Sequence, residues 1–370
     1  MMKILVFGMT ENPGGVESVI MNYYRNIDRN VFQFDFLCNS YDKIAYEDEI
    51  LFLGGKTIHF PARSKNPIEY YKKLERFFSK HAKEYKVIWV NVCSLANIDY
   101  LKLAKKYGIP KRIIHSHNSM NMDSRLRGML HKWNKKSLDK YATDFWTCSD
   151  ESSKWFYKPK LQKKVITIHN AIDISKMAFE LEKRMEYRKK LGWEDKFIIG
   201  NVGRLHFQKN QEFILDIFEK LIQKNPNARL VLVGQGEDEE ILKKKAIQLG
   251  IMENVHFAGL SNDIQGWMST FDFFLFPSKF EGLPLAALEA QASGLPVLAS
   301  KGVISKNVQM TSNLMFMELD KPAEDWAKQI CNMNKNLSRL KYSEIEQAFT
   351  KKGYNINVEL PKIEKLFSRK

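Results

Sequence analysis

Residues 276–300 read FPSKFEGLPLAALEAQASGLPVLAS, and this stretch indicates how the chain folds. A strand predicted at Phe273–Phe276 runs into a loop at Pro277–Gly282 and then into a helix-forming run that begins near Leu283. A further apolar run, Val297–Ala299, follows the helix and reads as another strand. The order strand, helix, strand predicts a βαβ unit, in which the strands are parallel.

Two glutamates, Glu281 and Glu289, flank the start of this predicted helix. Backbone N–H groups at a helix start are unpaired and carry partial positive charge, so this point suits a phosphate. A carboxylate beside it can accept hydrogen bonds from sugar hydroxyls, and a nucleotide sugar would satisfy the whole arrangement. Taken alone, however, the pair is more typical of ordinary solvated helix residues.

The composition is that of a globular protein with two domains. A chain of 370 residues exceeds one typical core, and its 44% hydrophobic and 12% aromatic content argues against disorder. The four cysteines are far apart, which fits a reducing compartment and neither a disulfide framework nor a zinc site. No segment approaches the roughly 18 apolar residues of a spanning helix. The apolar N-terminal run is too short for a signal peptide, so we expect a cytoplasmic protein.

The net charge of +15 is concentrated in the first half of the chain. Residues 1–170 carry 29 Lys and Arg against 17 Asp and Glu, a difference of +12. Residues 171–370 carry 29 against 26, a difference of +3. A basic half beside a nearly neutral half predicts an anionic partner. Because no nucleic-acid-binding module accompanies the charge, we do not expect that partner to be a nucleic acid.

Both halves alternate short β-branched or aromatic runs with longer helical stretches, which predicts two α/β domains, each with a parallel sheet. We place one domain at residues 1–175 and the other at 176–354, and expect the helix at 355–370 to pack back on the first. Open parallel sheets bind ligands beyond the carboxyl ends of their strands, so two facing domains would leave a cleft there. The predicted strands are Lys3–Phe7, Phe32–Leu37, Lys56–His59, Val87–Asn91, Lys111–His115, Asp144–Cys148, Val165–His169, Phe197–Gly203, Arg229–Gly234, Val255–Gly259, Phe273–Phe276 and Val297–Ala299.

Polar or glycine-rich segments follow several of these strands. Gly14 and Gly15 open a helix after the first strand, where paired glycines fit either a phosphate-binding helix start or a tight turn. His117 closes a later strand, where an imidazole can contact a sugar hydroxyl or polarise a reacting oxygen. Most isolated histidines do no chemistry, so His117 by itself decides nothing.

Arg204 and Lys209 flank the loop after the first strand of the second half. Beside a helix start, the two cations could clamp a diphosphate, the arginine through its planar fork and the lysine as a point charge. A pair of solvated surface cations fits the same pattern. No D-x-D pair and no His or Cys at ligand spacing supports a divalent metal, so we expect neither a metal nor a cofactor.

Residues 123–141 combine apolar and basic positions on one predicted helix. Such a helix can lie on an anionic membrane surface with its tryptophan near the headgroups, or it can pack on the sheet as an ordinary amphipathic helix. The local basic charge and the nearness of His117 favour a membrane or lipid-acceptor surface. The apolar positions on one face are Leu126, Met129, Leu130, Trp133 and Leu138. The residues assigned to the surface are Arg125, Arg127, Lys132, Trp133, Lys135 and Lys136.

Several segments, in their order along the chain, resemble the retaining GT-B glycosyltransferases of family four, and within it enzymes of bacterial capsule and exopolysaccharide assembly. They are GGVE, HSHN, CSDESSKWF, HNAID, VGRLHFQKN, LVLVGQG and the Glu-x7-Glu stretch, and they extend to about Ser300. The resemblance implies two facing Rossmann-like, doubly wound domains with an interdomain cleft. The chain differs from the family pattern at Asn210, where glycine is common. It also differs at residues 301–310, which replace an acidic, glycine-rich continuation that helps to shape the donor pocket.

The resemblance also implies roles for single residues. Arg204 and Lys209 would bind the donor diphosphate, and Glu289 would hold the ribose hydroxyls of the nucleotide. Glu281 would face the donor sugar and His117 would contact it near the anomeric carbon, which makes these two the candidate catalytic residues. The other candidate donor-binding residues are Gly14, Gly15, Gly282, Leu283 and Leu285.

The implied activity is transfer, with retention and without a metal, of a hexose or N-acetylhexosamine from a UDP-sugar to a polyprenyl-diphosphate-linked saccharide. The implied location is cytoplasmic, peripheral on the inner face of the cell membrane. No carboxylate pair suits a covalent intermediate, so we expect same-face attack by an acceptor that the leaving phosphate deprotonates. One alternative is a UDP-N-acetylglucosamine epimerase, against which the GGVE and HSHN segments count. The other is a non-catalytic subunit of a partner transferase, against which the joint presence of the site residues counts.

Overall fold

The structure is a computed structural model that describes residues 1–12, 14–117, 125–281, 284–303 and 308–369. The chain divides into two compact units. Unit 1 comprises Met1–Ala171 together with Ile356–Lys370, and unit 2 comprises Ile172–Asn355. In the described residues each unit is built on one parallel sheet, of seven strands in unit 1 and six in unit 2. The predicted α/β fold class, with two parallel-sheet domains, is confirmed.

Several central strands are largely apolar and buried, as parallel strands covered on both faces require. All seven residues of FQFDFLC at Phe32–Cys38 and all four of FFLF at Phe273–Phe276 are buried. The strands are β1 Met2–Phe7, β2 Phe32–Cys38, β3 Lys56–His59, β4 Val87–Val92, β5 Lys111–Ser116, β6 Asp144–Thr147, β7 Val165–Thr167, β8 Phe197–Val202, β9 Ala228–Val233, β10 Val255–Gly259, β11 Phe273–Phe276, β12 Val297–Ser300 and β13 Leu314–Met317. The sequence predicts the first twelve to within two residues at each end and misses β13.

Helices lie between the strands, and three more follow the last strand. They are α1 Gly15–Asn26, α2 Glu47–Phe52, α3 Pro67–His81, α4 Asp99–Lys106, α5 Arg125–Ser137, α6 Asp150–Phe156, α7 Pro159–Gln162, α8 Leu181–Leu191, α9 Gln211–Lys224, α10 Glu239–Gln248, α11 Ile264–Thr270, α12 Leu285–Ala292, α13 Ala323–Asn336, α14 Tyr342–Lys352 and α15 Ile356–Ser368. Within the described ranges, none of these helices combines the length and apolarity needed to cross a membrane.

The strand order decides which loops meet. In unit 1 the order is β3-β2-β1-β4-β5-β6-β7, so the ends of β1, β4 and β5 are neighbours. In unit 2 the order is β10-β9-β8-β11-β12-β13, so the loops after β8 and β11 lie side by side although they are distant in sequence. These adjacent carboxyl ends are where doubly wound sheets place ligand-binding groups.

Helix α15 belongs to unit 1 although it follows unit 2 in the chain. Its Phe367 packs edge-on against Trp89, with ring centroids 5.6 Å apart, and also contacts Phe34 at 5.9 Å. Its Glu359 is buried and lies 3.9 Å from His169. An aromatic anchor and a buried carboxylate thus fix this helix to the first sheet.

Candidate functional site

Hydrogen bonds join two loops of unit 2, which follow the carboxyl ends of β8 and β11. The Asn210 amide donates to the carbonyl of Pro277 at 3.0 Å, and the backbone N–H of Lys279 donates to the carbonyl of Gln208 at 2.8 Å. The Gln208 side chain adds a third bond, to the carbonyl of Phe280, at 2.9 Å. These bonds hold the segment that carries Lys209 against the segment that carries Glu281.

Lys209 and Glu281 form an ion pair between these two loops. The ammonium Nζ lies 2.8 Å from Oε1 of Glu281, and the two side chains are only 19% and 4% exposed. The ammonium also lies 5.3 Å from the centroid of the Phe276 ring. Neither residue is therefore a solvated surface charge, which was the alternative interpretation of each.

Gly203 makes room for the Lys209 side chain. At φ +158° it takes a backbone conformation that favours glycine, and a Cβ there would lie 3.2 Å from Cε of Lys209. Two further glycines bring the β9 loop against the same segment. A Cβ on Gly234 would lie 2.1 Å from the carbonyl oxygen of Gly203, and one on Gly236 would lie 2.0 Å from that of Leu205. The glycines thus serve close backbone packing.

Asn210 occupies a left-handed conformation, with φ 60° and ψ 38°, immediately before α9. This conformation favours glycine and is tolerated by asparagine among the other residues. The departure from glycine at this position therefore preserves the backbone geometry. The asparagine amide also adds the buried bond to Pro277, which a glycine could not make.

Arg204 is placed differently from Lys209. Its guanidinium pairs with Glu237 at 3.0 Å, but the two side chains are 66% and 50% exposed. The Glu237 carboxylate also lies 3.2 Å from Nε2 of His206. An exposed ion pair contributes about 0–1 kcal/mol, so an anionic ligand can displace Glu237 from Arg204 at little cost.

Glu289 lies in the second turn of α12, near the helix start. Burial of its carboxyl raises the pKa of Glu289 to about 7. No hydrogen bond or ion pair joins this carboxyl to the residues that the structure describes. Helix α12 begins at Leu285 after Pro284, with no side-chain cap on its N-terminus. Two further predicted donor-binding residues, Gly282 and Leu283, lie outside the described residues.

In unit 1, His117 directly follows β5 and faces an asparagine that the sequence analysis missed. Its Nε2 lies 3.0 Å from Oδ1 of Asn91, and Nδ1 of His115 lies 3.1 Å from the same oxygen. The two imidazole centroids are 4.1 Å apart. Burial lowers the pKa of His117 to about 3, so the ring is neutral. The available signal was that Asn91 closes the predicted strand Val87–Asn91, at the same sheet edge as His117.

The glycine pair of unit 1 opens α1. Gly15 is the first helical residue, and Gly14 is extended, with no side-chain cap. A Cβ on Gly14 would lie 2.8 Å from Oε2 of Glu17. Glu17 is buried and accepts a hydrogen bond from Oγ1 of Thr10 at 2.6 Å. Gly14 therefore leaves space for a carboxylate in the first turn of α1, which the sequence analysis did not assign to the site.

Helix α5 presents part of the predicted membrane surface. Leu126, Met129 and Trp133 are 66%, 67% and 72% exposed and form a stripe at helical spacing. Of the other two predicted apolar positions, Leu130 is partly buried, and Leu138 is buried and follows the end of α5 at Ser137.

Other residues of α5 turn toward unit 1. His131 is buried, accepts a hydrogen bond from the Leu95 N–H at 3.1 Å and stacks against Trp155. Lys135 donates to the carbonyl of Trp155, and burial lowers its pKa. Lys135 is therefore tied to unit 1. The other basic residues assigned to the surface, Arg125, Arg127, Lys132 and Lys136, are exposed.

Within the described part of the chain, no group of three His, Cys, Asp or Glu side chains is arranged to hold a metal ion.

Comparison with known proteins gives one family match and several relatives. Residues 183–333 match the model of the family described as glycosyl transferases group 1. The chain is 29% identical over 354 residues to the putative glycosyltransferase EpsF of Bacillus subtilis, covering 93% of this chain and 90% of EpsF. It is 26% identical to the capsular polysaccharide biosynthesis glycosyltransferase CapH of Staphylococcus aureus, covering 100% and 99% of the two chains.

A third relative matches part of the chain only. This is the UDP-Gal:alpha-D-GlcNAc-diphosphoundecaprenol alpha-1,3-galactosyltransferase of Escherichia coli, 35% identical over 37% of this chain and 36% of that protein. Among solved structures, Anabaena HepE in complex with UDP-glucose superposes with a TM-score of 0.78 at 18% identity over 100% of both chains. At that identity the likeness shows a shared fold.

Proposed function

We propose that this protein transfers a sugar from a UDP-sugar to a lipid-linked saccharide, because residues 183–333 match the model of the group 1 glycosyl transferases and the chain shares the fold of solved glycosyltransferases. The sugar is a hexose or N-acetylhexosamine, and the product retains the donor's anomeric configuration. The process is capsule or exopolysaccharide assembly. Support for the acceptor comes from the relatives named for capsular polysaccharide biosynthesis and for a diphosphoundecaprenol substrate.

The observation that carries the proposal is the buried Lys209–Glu281 pair at the carboxyl edge of the second sheet. An ammonium has three N–H donors, and the bond to Glu281 uses one of them. Glu281 therefore fixes the position of Lys209 while other donors stay available for a diphosphate oxygen. Arg204 completes the diphosphate contacts by exchanging its exposed partner, Glu237, for the ligand.

The carboxyl of Glu289 fits the role of nucleotide anchor. Ribose hydroxyls are hydrogen-bond donors, and a poorly solvated carboxylate gains more from such donors than a solvated one does. Glu281 keeps its second oxygen for the donor sugar, because Oε1 is the atom that pairs with Lys209. The backbone around Leu285, at the uncapped start of α12, is the proposed site for the sugar and phosphate oxygens.

The chemistry follows from where charge develops. Cleavage of the anomeric bond builds positive charge on the sugar and negative charge on the departing diphosphate. Lys209 and Arg204 stabilise that negative charge as it forms, because their positions are set before the reaction. The acceptor hydroxyl then attacks on the face that the diphosphate leaves, and its proton passes to the departing phosphate oxygen. This route needs no metal and no covalent intermediate on the protein.

Unit 1 supplies the remaining proposed roles. His117 contacts the transferring sugar, and Gly14 and Gly15 assist the phosphate side at the start of α1. The exposed stripe of Leu126, Met129 and Trp133 on α5 lies on an anionic membrane surface, with basic residues beside it. We place the protein on the inner face of the cell membrane, where a polyprenyl-linked acceptor is available.

A donor panel tests this function. Purified protein is heated with UDP, GDP and a series of UDP- and GDP-sugars, and the unfolding temperature is recorded for each. A UDP-sugar should raise that temperature, because a ligand that binds only the folded state stabilises it. The selected donor is then incubated with a polyprenyl-diphosphate saccharide, and the product is analysed by mass spectrometry and NMR. Stabilisation by none of the nucleotides, or conversion of the donor into an epimer without transfer, would refute the proposal.

A further inference from the structure

Asn91 binds two histidines through one oxygen at the carboxyl end of β4. The oxygen Oδ1 lies 3.1 Å from Nδ1 of His115 and 3.0 Å from Nε2 of His117. Asn91 is 1% exposed and stands directly opposite His115 in the pairing of β4 with β5. The three side chains therefore form one small polar group inside the first sheet.

The orientation of the Asn91 amide is set by its nitrogen. Nδ2 donates to the carbonyl oxygens of Phe7, at 3.3 Å, and of Trp89, at 3.4 Å. A flipped amide would turn Oδ1 toward these two carbonyl oxygens, and no hydrogen would lie between them. Oδ1 must therefore face the imidazole rings.

The end of β1 is shaped to leave Asn91 in this place. Gly8 has φ +139°, and a Cβ there would lie 2.7 Å from Cβ of Asn91 and 2.8 Å from its carbonyl oxygen. A side chain at position 8 would displace Asn91 from both histidines. The lack of a side chain at Gly8 thus leaves the Asn91 amide in contact with both imidazole rings.

The shared oxygen decides where each ring carries its hydrogen. An amide oxygen only accepts hydrogen bonds, so each ring nitrogen that faces it must be an N–H. In the neutral rings, His115 is then protonated on Nδ1 and His117 on Nε2. The remaining nitrogen of His117, Nδ1, carries a lone pair, and no described residue donates to it.

Both rings are neutral at physiological pH. Burial lowers the pKa of His117 to about 3, and burial together with the nearby His117 lowers the pKa of His115 well below its ordinary value. Among the described residues, His115 is the titratable group that faces His117, and no carboxylate contributes to its pKa. An asparagine suits this arrangement because an aspartate would favour charged imidazoles.

We propose that Asn91 is a positioning residue that holds His117 as the neutral Nε2–H tautomer, so that Nδ1 of His117 accepts a hydrogen bond from a hydroxyl of the donor sugar. The contact with the sugar rests on the proposed function, whereas the tautomer does not. The arrangement also decides what His117 cannot do. Its N–H is already given to Asn91, so it does not act as a proton donor to the leaving group.

The tautomer is measured by NMR on protein labelled with ¹⁵N-histidine, with His117→Gln to assign the signals. Long-range ¹⁵N–¹H correlations should show His117 protonated on Nε2, with no titration between pH 5 and pH 8. Asn91→Leu removes the acceptor, so His117 should populate both neutral tautomers, Nδ1–H as well as Nε2–H. Asn91→Asp keeps the acceptor and adds charge, so His117 should become protonated as the pH falls within that range. A wild-type signal for Nδ1–H, or an unchanged tautomer in Asn91→Leu, would overturn the proposal.

Activity gives the second measurement. Asn91→Leu should lower kcat by about 100-fold, the loss expected from a misplaced contact, with a smaller change in the KM of the donor. Asn91→Asp should lose activity toward acid pH while the wild type does not. The matched control is Asn313→Leu, because buried Asn313 also donates to two carbonyl oxygens, those of Gly294 and Ser338, but stands at the amino end of β13 and not at a carboxyl end, where the site residues lie.

The outcomes separate the positioning role from the proposed function. If the wild-type protein transfers no sugar from any donor, the proposed function fails and the NMR result alone judges the tautomer. If transfer occurs and Asn91→Leu changes the tautomer while keeping full activity, Asn91 does not position a reacting group. If Asn313→Leu loses as much activity as Asn91→Leu, the effect is general destabilisation and the positioning role is rejected.

Discussion

Lys209 and Glu281 are 72 positions apart in sequence, yet Nζ of one lies 2.8 Å from Oε1 of the other. Both side chains are largely buried, at 19% and 4% exposure. The pair exists because β8 and β11 are neighbours in the sheet, so that the loops after them meet. Each residue is thus the other's partner, and the two form a single structural element.

We expect Lys209→Ala and Glu281→Gln each to reduce sugar transfer by at least about 100-fold, as removal of one preorganised charged group does. Because each change disables the same element, the double variant should be scarcely worse than either single one. The measurement is the initial rate of sugar transfer at saturating donor concentration for each single variant and for the double variant. The control is Lys245→Ala, which breaks a similar 2.8 Å pair with Asp216 outside the site. Near-normal rates for Lys209→Ala would contradict the assignment.

Glu237→Gln tests whether Arg204 exchanges partners. The exposed pair contributes about 0–1 kcal/mol, so its loss should tighten UDP binding by at most about fivefold. Arg204→Ala should weaken UDP binding, since a charge-assisted contact with the diphosphate is removed. Calorimetric titration with UDP measures both. Weaker binding in Glu237→Gln would show that Glu237 assists the ligand and does not compete with it.

The carboxyl of Glu289 should make stability and nucleotide binding depend on pH. Its pKa is raised from 4.5 to about 7, so between these values the folded state binds more protons than the unfolded state. The Glu289 carboxyl therefore contributes to the free energy of unfolding in favour of the folded state below pH 4.5, and this contribution is lost as the pH rises toward 7. Glu289→Gln stays neutral at every pH. The unfolding temperature of this variant, relative to that of the wild type, should therefore rise as the pH increases from 4.5 to about 7.

Nucleotide binding to Glu289 has its own signature. Ribose hydroxyls donate to the ionised carboxylate, so UDP binding near pH 7 should release a proton. Titration calorimetry in buffers of different ionisation enthalpy measures that release. Glu289→Gln should abolish it, and equal proton release in the variant would locate the titrating group elsewhere.

Transfer should survive treatment with a chelator. The proposed mechanism neutralises the leaving diphosphate with Lys209 and Arg204, so removal of divalent ions should leave most of the rate. The assay compares protein treated with EDTA and then desalted against the same sample supplied with Mg²⁺ or Mn²⁺. A strict requirement for either ion would refute the metal-free route.

Membrane binding should depend on the exposed face of α5. The double variant Lys132→Glu and Lys136→Glu should lose affinity for vesicles with anionic lipids, and high salt should weaken the wild type, because both reduce the attraction to the surface. Trp133→Ala should weaken binding without changing its salt dependence. The double variant Lys72→Glu and Lys80→Glu, at two exposed positions of α3, is the charge-matched control in a co-sedimentation assay. Unchanged binding in the double variant would make α5 a surface helix only.

The strands and helices were predictable because their signals are local. Apolar runs separated by helical stretches marked twelve strands, and Lys56–His59, Val255–Gly259 and Phe273–Phe276 have the predicted bounds. Leu314–Met317 was missed because its sequence, LMFM, has one aromatic and no β-branched residue, and these are the residue types that mark a strand. The apolar face of α5 was assigned too broadly, because periodicity alone does not show that the helix ends at Ser137, before the buried Leu138, while Trp133 is exposed.

By itself the sequence determined that the chain has two parallel-sheet α/β units and that polar residues gather at the strand ends, because both properties follow from residue order along single elements. Only the tertiary structure decided which polar groups become partners. Lys209 pairs with Glu281, Arg204 pairs with Glu237, and His117 and His115 both hydrogen-bond to Oδ1 of Asn91. These choices depend on which strands are neighbours in the sheet and on how deeply each side chain is buried. Spacing along the chain records neither.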